Sequence, residues 1–122
     1  MGIFRVNVAI QNPARLAKKL SIENVLVDTG AEFSWIPGDV LTKAGIPARK
    51  KDVPFIMANG TTISRDIGYA IITCDGFETV DEVVFGKEGD MALLGSRTLE
   101  GFGAIVDTRK KKLVAAGPLP AA

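Results

Sequence analysis

The stretch VLVDTGA, from Val25 to Ala31, says most about how this chain folds and what it does. Three apolar residues with high strand propensity lead directly into Asp28, and the turn formers Thr29 and Gly30 follow. Aspartate is depleted in strands and is rarely buried without partners. An aspartate at the end of a buried strand, followed by a turn, is therefore typical of a carboxylate placed for chemistry. Because Asp-Thr-Gly also fits an ordinary turn, its surroundings decide the interpretation.

The residue types that the sequence lacks narrow the possible chemistry. The 122 residues include no histidine and a single cysteine, Cys74. Catalytic Ser-His-Asp and Cys-His groups, histidine-based zinc sites and thiolate metal clusters are therefore excluded. No glycine-rich phosphate loop of the GxGxxG or GxxxxGK[ST] type occurs either. Carboxylates remain as the main acid–base candidates, and we expect no metal and no cofactor.

Two further motifs follow Asp28 in a definite order. Asn59-Gly60 lies between two strand-like segments, and Asn-Gly is the strongest short signal for a β-hairpin. Leu93-Leu94-Gly95 comes next, and a short helix-like segment and another strand follow it. This order and spacing resembles the retroviral-type aspartic proteases, the half-sized relatives of pepsin. The resemblance extends from about Ile22 to Val114.

The resemblance implies a fold class. Retroviral-type proteases have an all-β, closed barrel-like acid protease fold with one or two short helices, half the size of pepsin. We expect residues 1–122 to form one such domain, since this length suits a single domain. Many short strands at a spacing of about 8–12 residues agree with this fold class.

The sequence pattern also places the individual elements. It predicts short helices at 37–45 and 97–101, the first closed by a glycine. The basic segment Ala14–Leu20 is interpreted as a surface turn of helix or a hairpin loop. The predicted strands are 3–10, 22–27, 53–58, 61–70, 70–74, 77–85, 104–107 and 113–114.

The resemblance assigns roles to individual residues. Asp28 would be the catalytic carboxylate, Thr29 would hydrogen-bond across a two-fold axis, and Gly30 would allow close backbone approach. Ala31 would lie beside the substrate backbone, where a small side chain is needed. A flap that closes over the peptide would comprise Met57, Ala58, Asn59, Gly60 and Thr61. The element that supports the catalytic turn from beneath would be Leu93, Leu94 and Gly95.

A single chain of this kind lacks a second suitable carboxylate. In aspartic proteases two carboxylates share one proton, so that one acts as general base and the other as general acid. Asp75-Gly76 lacks the middle residue of the motif, and Asp107-Thr108-Arg109 has arginine where glycine is needed. The simplest solution is a symmetric homodimer in which Asp28 of each copy meets at the two-fold axis. The resemblance then implies an aspartic endopeptidase that hydrolyses a polypeptide substrate.

Composition bounds the partners and the location. The formal net charge of +1 gives no general attraction to nucleic acid or to an anionic membrane. The basic cluster Arg109–Lys112 has no interleaved aromatic residues, so we interpret it as solvated loop charge. We expect no transmembrane helix and no signal peptide, because the apolar runs are too short. With Cys74 alone, no intrachain disulfide is possible, and a cytoplasmic protein is expected.

Two alternative functions remain open on the sequence alone. The first is a catalytically inactive module that keeps the fold and binds peptides or dimerises. The second is a regulatory domain that is cut from a longer polypeptide. An intact Asp-Thr-Gly-Ala, from Asp28 to Ala31, favours activity over the first alternative. Nothing in the sequence identifies the substrate.

Overall fold

The structure, a computed structural model, describes residues 4–121 and is mostly β. Its strands, all within these residues, are β1 (Arg5–Asn12), β2 (Arg15–Val27), β3 (Ser34–Pro37), β4 (Lys50–Ile56), β5 (Thr62–Cys74), β6 (Phe77–Gly86), β7 (Leu93–Leu94), β8 (Ala104–Asp107) and β9 (Lys112–Ala115). Two short helices, α1 (Gly38–Lys43) and α2 (Ser96–Phe102), follow β3 and β7.

The strands form a closed ring. Neighbours pair in the order β1, β2, β7, β3, β6 and β5, and β5 pairs back to β1 through the register Ile10↔Ile72. Strand β4 pairs with the first half of β5, along the same edge that pairs with β1 further on, and β8 and β9 form a separate two-stranded sheet. Most pairs are antiparallel, but β2–β7 and β3–β6 are parallel. This ring confirms the all-β acid protease architecture that the sequence predicts.

Apolar side chains from alternate strand positions fill the ring. In β1 the buried residues Val6, Val8 and Ile10 alternate with more exposed ones, as expected for a strand with one face in the core. Helix α1 contributes the fully buried Leu41, and α2 packs Phe102 against Phe77 with ring centroids 6.0 Å apart. Full burial of one such aliphatic side chain contributes about 1.5–3 kcal/mol.

The basic segment Ala14–Leu20 is a strand from Arg15 onward, so its interpretation as a turn of helix or a loop is wrong. Residues from Arg15 onward belong to β2, which pairs with β1 through Ile10↔Leu20 and Gln11↔Lys19. The first five residues of β2 are all exposed, so no apolar alternation marks the strand in the sequence. Pairing with the neighbouring strand fixes the conformation there, and local propensity does not.

Most other predicted elements are confirmed to within a few residues, but the segments 61–70 and 70–74, predicted as separate strands, form the single strand β5, and β3 was not predicted. The helix predicted at 37–45 is Gly38–Lys43, and Gly45 follows it at φ +76°. The helix predicted at 97–101 is Ser96–Phe102, ended by Gly103 in the left-handed region. The strand predicted from position 3 starts outside the described residues, which show it from Arg5 onward. Neither described helix has the length or the apolar character that crossing a membrane requires.

Candidate active site

Strand β2 carries Asp28 to the edge of the core. The strand ends at Val27, which pairs in parallel with Leu94 of β7, and the Val25 side chain two residues earlier is fully buried. The main-chain N–H of Asp28 donates to the Leu94 carbonyl at 3.0 Å. The sheet pairing therefore continues one residue beyond the strand and fixes the backbone from which the carboxylate projects.

Residues 28–31, called the Asp28 turn below, form a tight and partly exposed turn. The Gly30 N–H donates to Asp28 Oδ1 at 2.9 Å, and the Ala31 N–H donates to the Asp28 carbonyl at 3.2 Å. Asp28 is half-buried, whereas Thr29 and Gly30 are exposed. Within residues 4–121, Oδ2 of Asp28 has no hydrogen bond and no ion pair. The turn thus holds one carboxylate oxygen and leaves the other one available.

The start of α2 holds the exit of the Asp28 turn. Ser96 N–H donates to the Ala31 carbonyl at 2.7 Å, and Arg97 N–H donates to the Glu32 carbonyl at 3.1 Å. The first N–H groups of a helix have no partner within the helix, so they are available for such bonds. Main-chain hydrogen bonds therefore fix both ends of the turn to the segment 94–97.

Gly95 is required by a close backbone approach. A Cβ at this position would lie 2.5 Å from the Phe33 carbonyl oxygen and 2.7 Å from that of Glu32, far inside contact distance. Leu94 before it is fully buried. Leu94 thus bonds the start of the Asp28 turn, Leu93 pairs with Leu26 just before it, and Gly95 lies against the Glu32 and Phe33 backbone just after it.

The predicted flap is a hairpin loop between β4 and β5. Met57 N–H donates to the Thr61 carbonyl at 2.8 Å, and Gly60 N–H donates to the Met57 carbonyl at 2.9 Å. Gly60 alone in this loop has a positive φ, at +86°. This is a three-residue loop with glycine in the left-handed position, rather than a turn with both Asn59 and Gly60 at positive φ. The Asn59 side chain accepts from the N–H and the hydroxyl of Thr61.

Aromatic contacts connect the root of the flap to the segment after the Asp28 turn. The centroid of the Phe55 ring lies 5.5 Å from that of the Phe33 ring, edge to face, and 5.4 Å from that of the Trp35 ring. Beyond this contact the flap is open, since Ile56 is 81% exposed and Met57 is 37% exposed. Met57 therefore does not fill the core. Among the described residues, the loop 57–61 makes no hydrogen bond to the Asp28 turn.

Three charged side chains, Lys50, Glu82 and Arg97, are connected by ion pairs. Glu82 on β6 bonds Lys50 at the start of β4 at 2.7 Å and Arg97 on α2 at 3.2 Å. The hydrogen bond from Lys50, and then that from Arg97, lower the pKa of the Glu82 carboxyl. The Arg97 guanidinium also lies 4.6 Å from the Phe33 ring centroid, in cation–π contact.

The two other aspartates considered as partners for Asp28 have structural roles. Asp75 and Gly76 have φ values of +50° and +85° and form the tight turn between β5 and β6. Asp107 Oδ1 accepts from the N–H groups of Arg109 and Lys110 and shapes the turn between β8 and β9. Neither aspartate repeats the environment of Asp28.

Other side chains and clusters have no assigned chemistry. Cys74 is buried. Its burial, and to a lesser extent the neighbouring Asp75 carboxylate, raise the pKa of its thiol to about 12. The thiol therefore stays protonated at neutral pH. Within residues 4–121, no three His, Cys, Asp or Glu side chains come together as metal ligands would.

Sequence reasoning missed a buried polar group behind the site. Ser34 and Thr98 are fully buried, and their hydroxyls bond to each other. Thr98 also bonds Asp81 on β6. Small polar residues at core positions of β3 and α2 were the available signal, but serine and threonine are common enough in both elements to hide it. The contact between Phe33 and Phe55 carried no local signal either.

We compared the chain with curated proteins and with models of protein families. A search of curated proteins found no match to the chain. The family model for the gag-polyprotein putative aspartyl protease matches residues 15–101. That range begins with β2, contains the Asp28 turn, the flap hairpin and Gly95, and ends within α2. Since the match covers well over half of the chain, the protein belongs to the family described as gag-polyprotein putative aspartyl protease.

Proposed function

We propose that the protein is an aspartic endopeptidase that works as a homodimer, with one Asp28 carboxylate from each copy. The observation that carries this proposal is the state of Asp28. Its backbone is fixed by Leu94 at 3.0 Å, its Oδ1 is held by Gly30 at 2.9 Å, and its Oδ2 is unengaged within residues 4–121. A fixed, half-buried carboxylate with one free oxygen is what acid–base chemistry requires.

The need for two copies follows from the other aspartates. Asp75 and Asp107 are committed to hairpin turns, so a single chain supplies one suitable carboxylate. The exposed Thr29 and Gly30 leave the tip of the Asp28 turn open to a second copy. A symmetric pair would bring two carboxylates together, and close like charges share one proton rather than both ionise.

The proposed reaction is hydrolysis of a peptide bond. The ionised carboxylate takes a proton from water, whose oxygen attacks the peptide carbonyl carbon, while the protonated carboxylate donates to the carbonyl oxygen. The resulting diol then collapses, the C–N bond breaks, and the nitrogen leaves as an amine after it accepts a proton. The products are one carboxylic acid and one amine.

The flap would close over the bound polypeptide. The loop 57–61 is exposed, and its strand is connected through Phe55 to Phe33, which lies just after the Asp28 turn. Closure of such a hairpin excludes water and orients the scissile bond. We also propose a cytoplasmic location, supported by the free and buried Cys74 thiol.

The test compares two matched variants, Asp28→Asn and Asp107→Asn. These positions carry the chain's two Asp-Thr dipeptides. An asparagine at 107 keeps an oxygen that can accept the two turn N–H groups, so the fold should be unaffected. We expect Asp28→Asn to abolish cleavage of a peptide library while Asp107→Asn cleaves normally.

Undiminished cleavage by a clean, folded Asp28→Asn protein would contradict the proposal. A folded wild-type dimer that binds peptides and cleaves none at any pH would instead support the inactive peptide-binding or dimerisation module. Circular dichroism and sedimentation of each variant establish that fold and assembly are intact.

A further inference from the structure

A series of three hydrogen bonds, two buried and one part-buried, runs from Gly95 beside the Asp28 turn to Asp81 on β6. Gly95 N–H donates to Ser34 Oγ at 3.0 Å, and Thr98 Oγ1 bonds Asp81 Oδ2 at 2.9 Å. The Ser34 and Thr98 hydroxyls, both 0% exposed, are hydrogen-bonded to each other between these two ends. The series thus connects Gly95, at the junction of β7 and α2, to one residue on each of β3, α2 and β6.

The groups at the two ends of this hydrogen-bond series, the Gly95 N–H and the Asp81 carboxylate, fix the direction of each bond. A main-chain N–H can only donate, so Ser34 Oγ accepts from Gly95. A carboxylate accepts, so the Thr98 hydroxyl donates to Asp81. The Ser34 hydroxyl must therefore donate to Thr98 Oγ1. The hydrogen of each of the three bonds thus points along the series toward Asp81. The carboxylate is the acceptor on which the whole arrangement depends.

Asp81 is suited to this role because it accepts with both oxygens. Oδ2 accepts from Thr98, and Oδ1 accepts from the main-chain N–H of Glu82 at 2.7 Å. An amide at this position has one acceptor oxygen, so one of the two donors would lose its partner. A buried donor without a partner is unfavourable, and the local structure shifts to relieve it.

The hydrogen-bond series ends at Gly95, on which the geometry of the Asp28 turn depends. Gly95 lies between Leu94 and Ser96, which bond the two ends of the turn, and a Cβ at Gly95 would lie only 2.5 Å from the Phe33 carbonyl oxygen. A displacement of Gly95 would therefore move the backbone on which the Asp28 carboxylate depends. Sub-ångström placement of that carboxylate governs the rate of the proposed chemistry.

We infer that Asp81 is a positioning residue, which acts through Thr98 and Ser34 on Gly95 and so fixes the Asp28 turn. The inference rests on the proposed function for its catalytic consequence. Its mechanical part, the fixing of the turn, stands apart from activity. Asp81 itself contacts no substrate in this account.

The first arm of the test measures amide hydrogen exchange in the full chain. We compare Thr98→Val, which keeps the side-chain shape and removes the hydroxyl, with Thr98→Ser, which keeps the hydroxyl. In Thr98→Val the Asp28 and Gly95 amides should exchange at least about tenfold faster relative to the Ile72 amide in the core. Thr98→Ser should keep the wild-type ratio. Asp81→Asn, at a half-buried position, serves as the second variant should Thr98→Val fail to fold, and the same increase is expected.

The second arm measures kcat and KM separately. Thr98→Val and Asp81→Asn should lower kcat by about tenfold to a hundredfold and leave KM within about twofold, because the carboxylate is misplaced while the peptide site is unchanged. Thr98→Ser should restore kcat. A uniform loss of stability would not separate the two constants in this way.

The two arms make the possible failures distinguishable. Unchanged Asp28 and Gly95 exchange in both Thr98→Val and Asp81→Asn, or an increase shared equally by Ile72, overturns the inference. Faster local exchange in a protein whose wild type cleaves nothing supports the mechanical part and counts against the proposed function alone. Faster local exchange with an unchanged kcat overturns the catalytic consequence.

Discussion

The main-chain N–H of Asp28 donates a 3.0 Å hydrogen bond to the carbonyl of Leu94, although the two residues lie 66 positions apart in the sequence. This bond joins the end of β2 to the element that leads into α2. The Asp28 turn is therefore held by residues distant in sequence, and its geometry depends on the packing around Gly95.

Gly95→Ala should destabilise the protein severely. The added Cβ would lie 2.5 Å from the Phe33 carbonyl oxygen, and the contact atoms are backbone that cannot rotate away. We expect a loss of about 3 kcal/mol in the free energy of unfolding. Gly117→Ala is the control, because a Cβ added there meets no atom within 4 Å; its φ of +95° alone should cost only about 1–2 kcal/mol. Equal urea midpoints for the two variants would contradict the close approach.

The ion pair between Arg65 and Asp90 should stabilise the fold at neutral pH and not in acid. Two hydrogen bonds of 2.7 and 3.0 Å connect them, and these bonds from Arg65 lower the pKa of Asp90. A carboxyl whose pKa is lower in the folded state adds stability above its unfolded value of about 3.9, and this stability is lost as the pH falls through the folded value.

The variant Asp90→Asn tests that ion pair. At pH 7 the free energy of unfolding should fall by about 1–2 kcal/mol, and near pH 3 the difference from wild type should shrink. Urea denaturation at both pH values measures this. Glu88→Gln, which removes an exposed carboxylate with no side-chain hydrogen bond or ion pair within residues 4–121, should change stability by less than about 0.5 kcal/mol. A loss that is the same at both pH values would refute the assignment.

Peptide cleavage should be fastest at acidic to mildly acidic pH. The proposed mechanism needs one proton on the pair of Asp28 carboxylates, and that state exists only between the two titrations of the pair. A statine-type mimic of the tetrahedral intermediate should block cleavage. Activity that keeps rising above about pH 8, or that a metal chelator removes, would point to different chemistry.

The sequence was sufficient where local chemistry sets the structure. The apolar run ending at Val27 predicts the strand before Asp28, and Gly45 closes the first helix as expected. Leu93, Leu94 and Gly95 were placed beside the Asp28 turn by family resemblance. The physical reason for Gly95 required the structure, because Phe33 approaches it from far along the chain.

Sequence reasoning failed where distant residues decide. Strand β2 begins at Arg15 because it pairs with β1, while its own exposed residues carry no strand pattern. Asn59-Gly60 marked the hairpin between β4 and β5 correctly, but only Gly60 takes the left-handed conformation. The bonds among Ser34, Thr98 and Asp81 join three elements, and no local pattern announces them.

Subunit mixing tests the central claim, a site built from two copies of Asp28, most directly. Wild type and Asp28→Asn are mixed in equal amounts, allowed to exchange subunits, and assayed for peptide cleavage at constant total protein. If both Asp28 carboxylates are needed, only about one quarter of the dimers are active, and activity falls to about one quarter of that of undiluted wild type. An equal mixture with Asp107→Asn should keep full activity. Retention of about half the activity with Asp28→Asn would mean that each chain works with its own Asp28 alone, and would contradict the account.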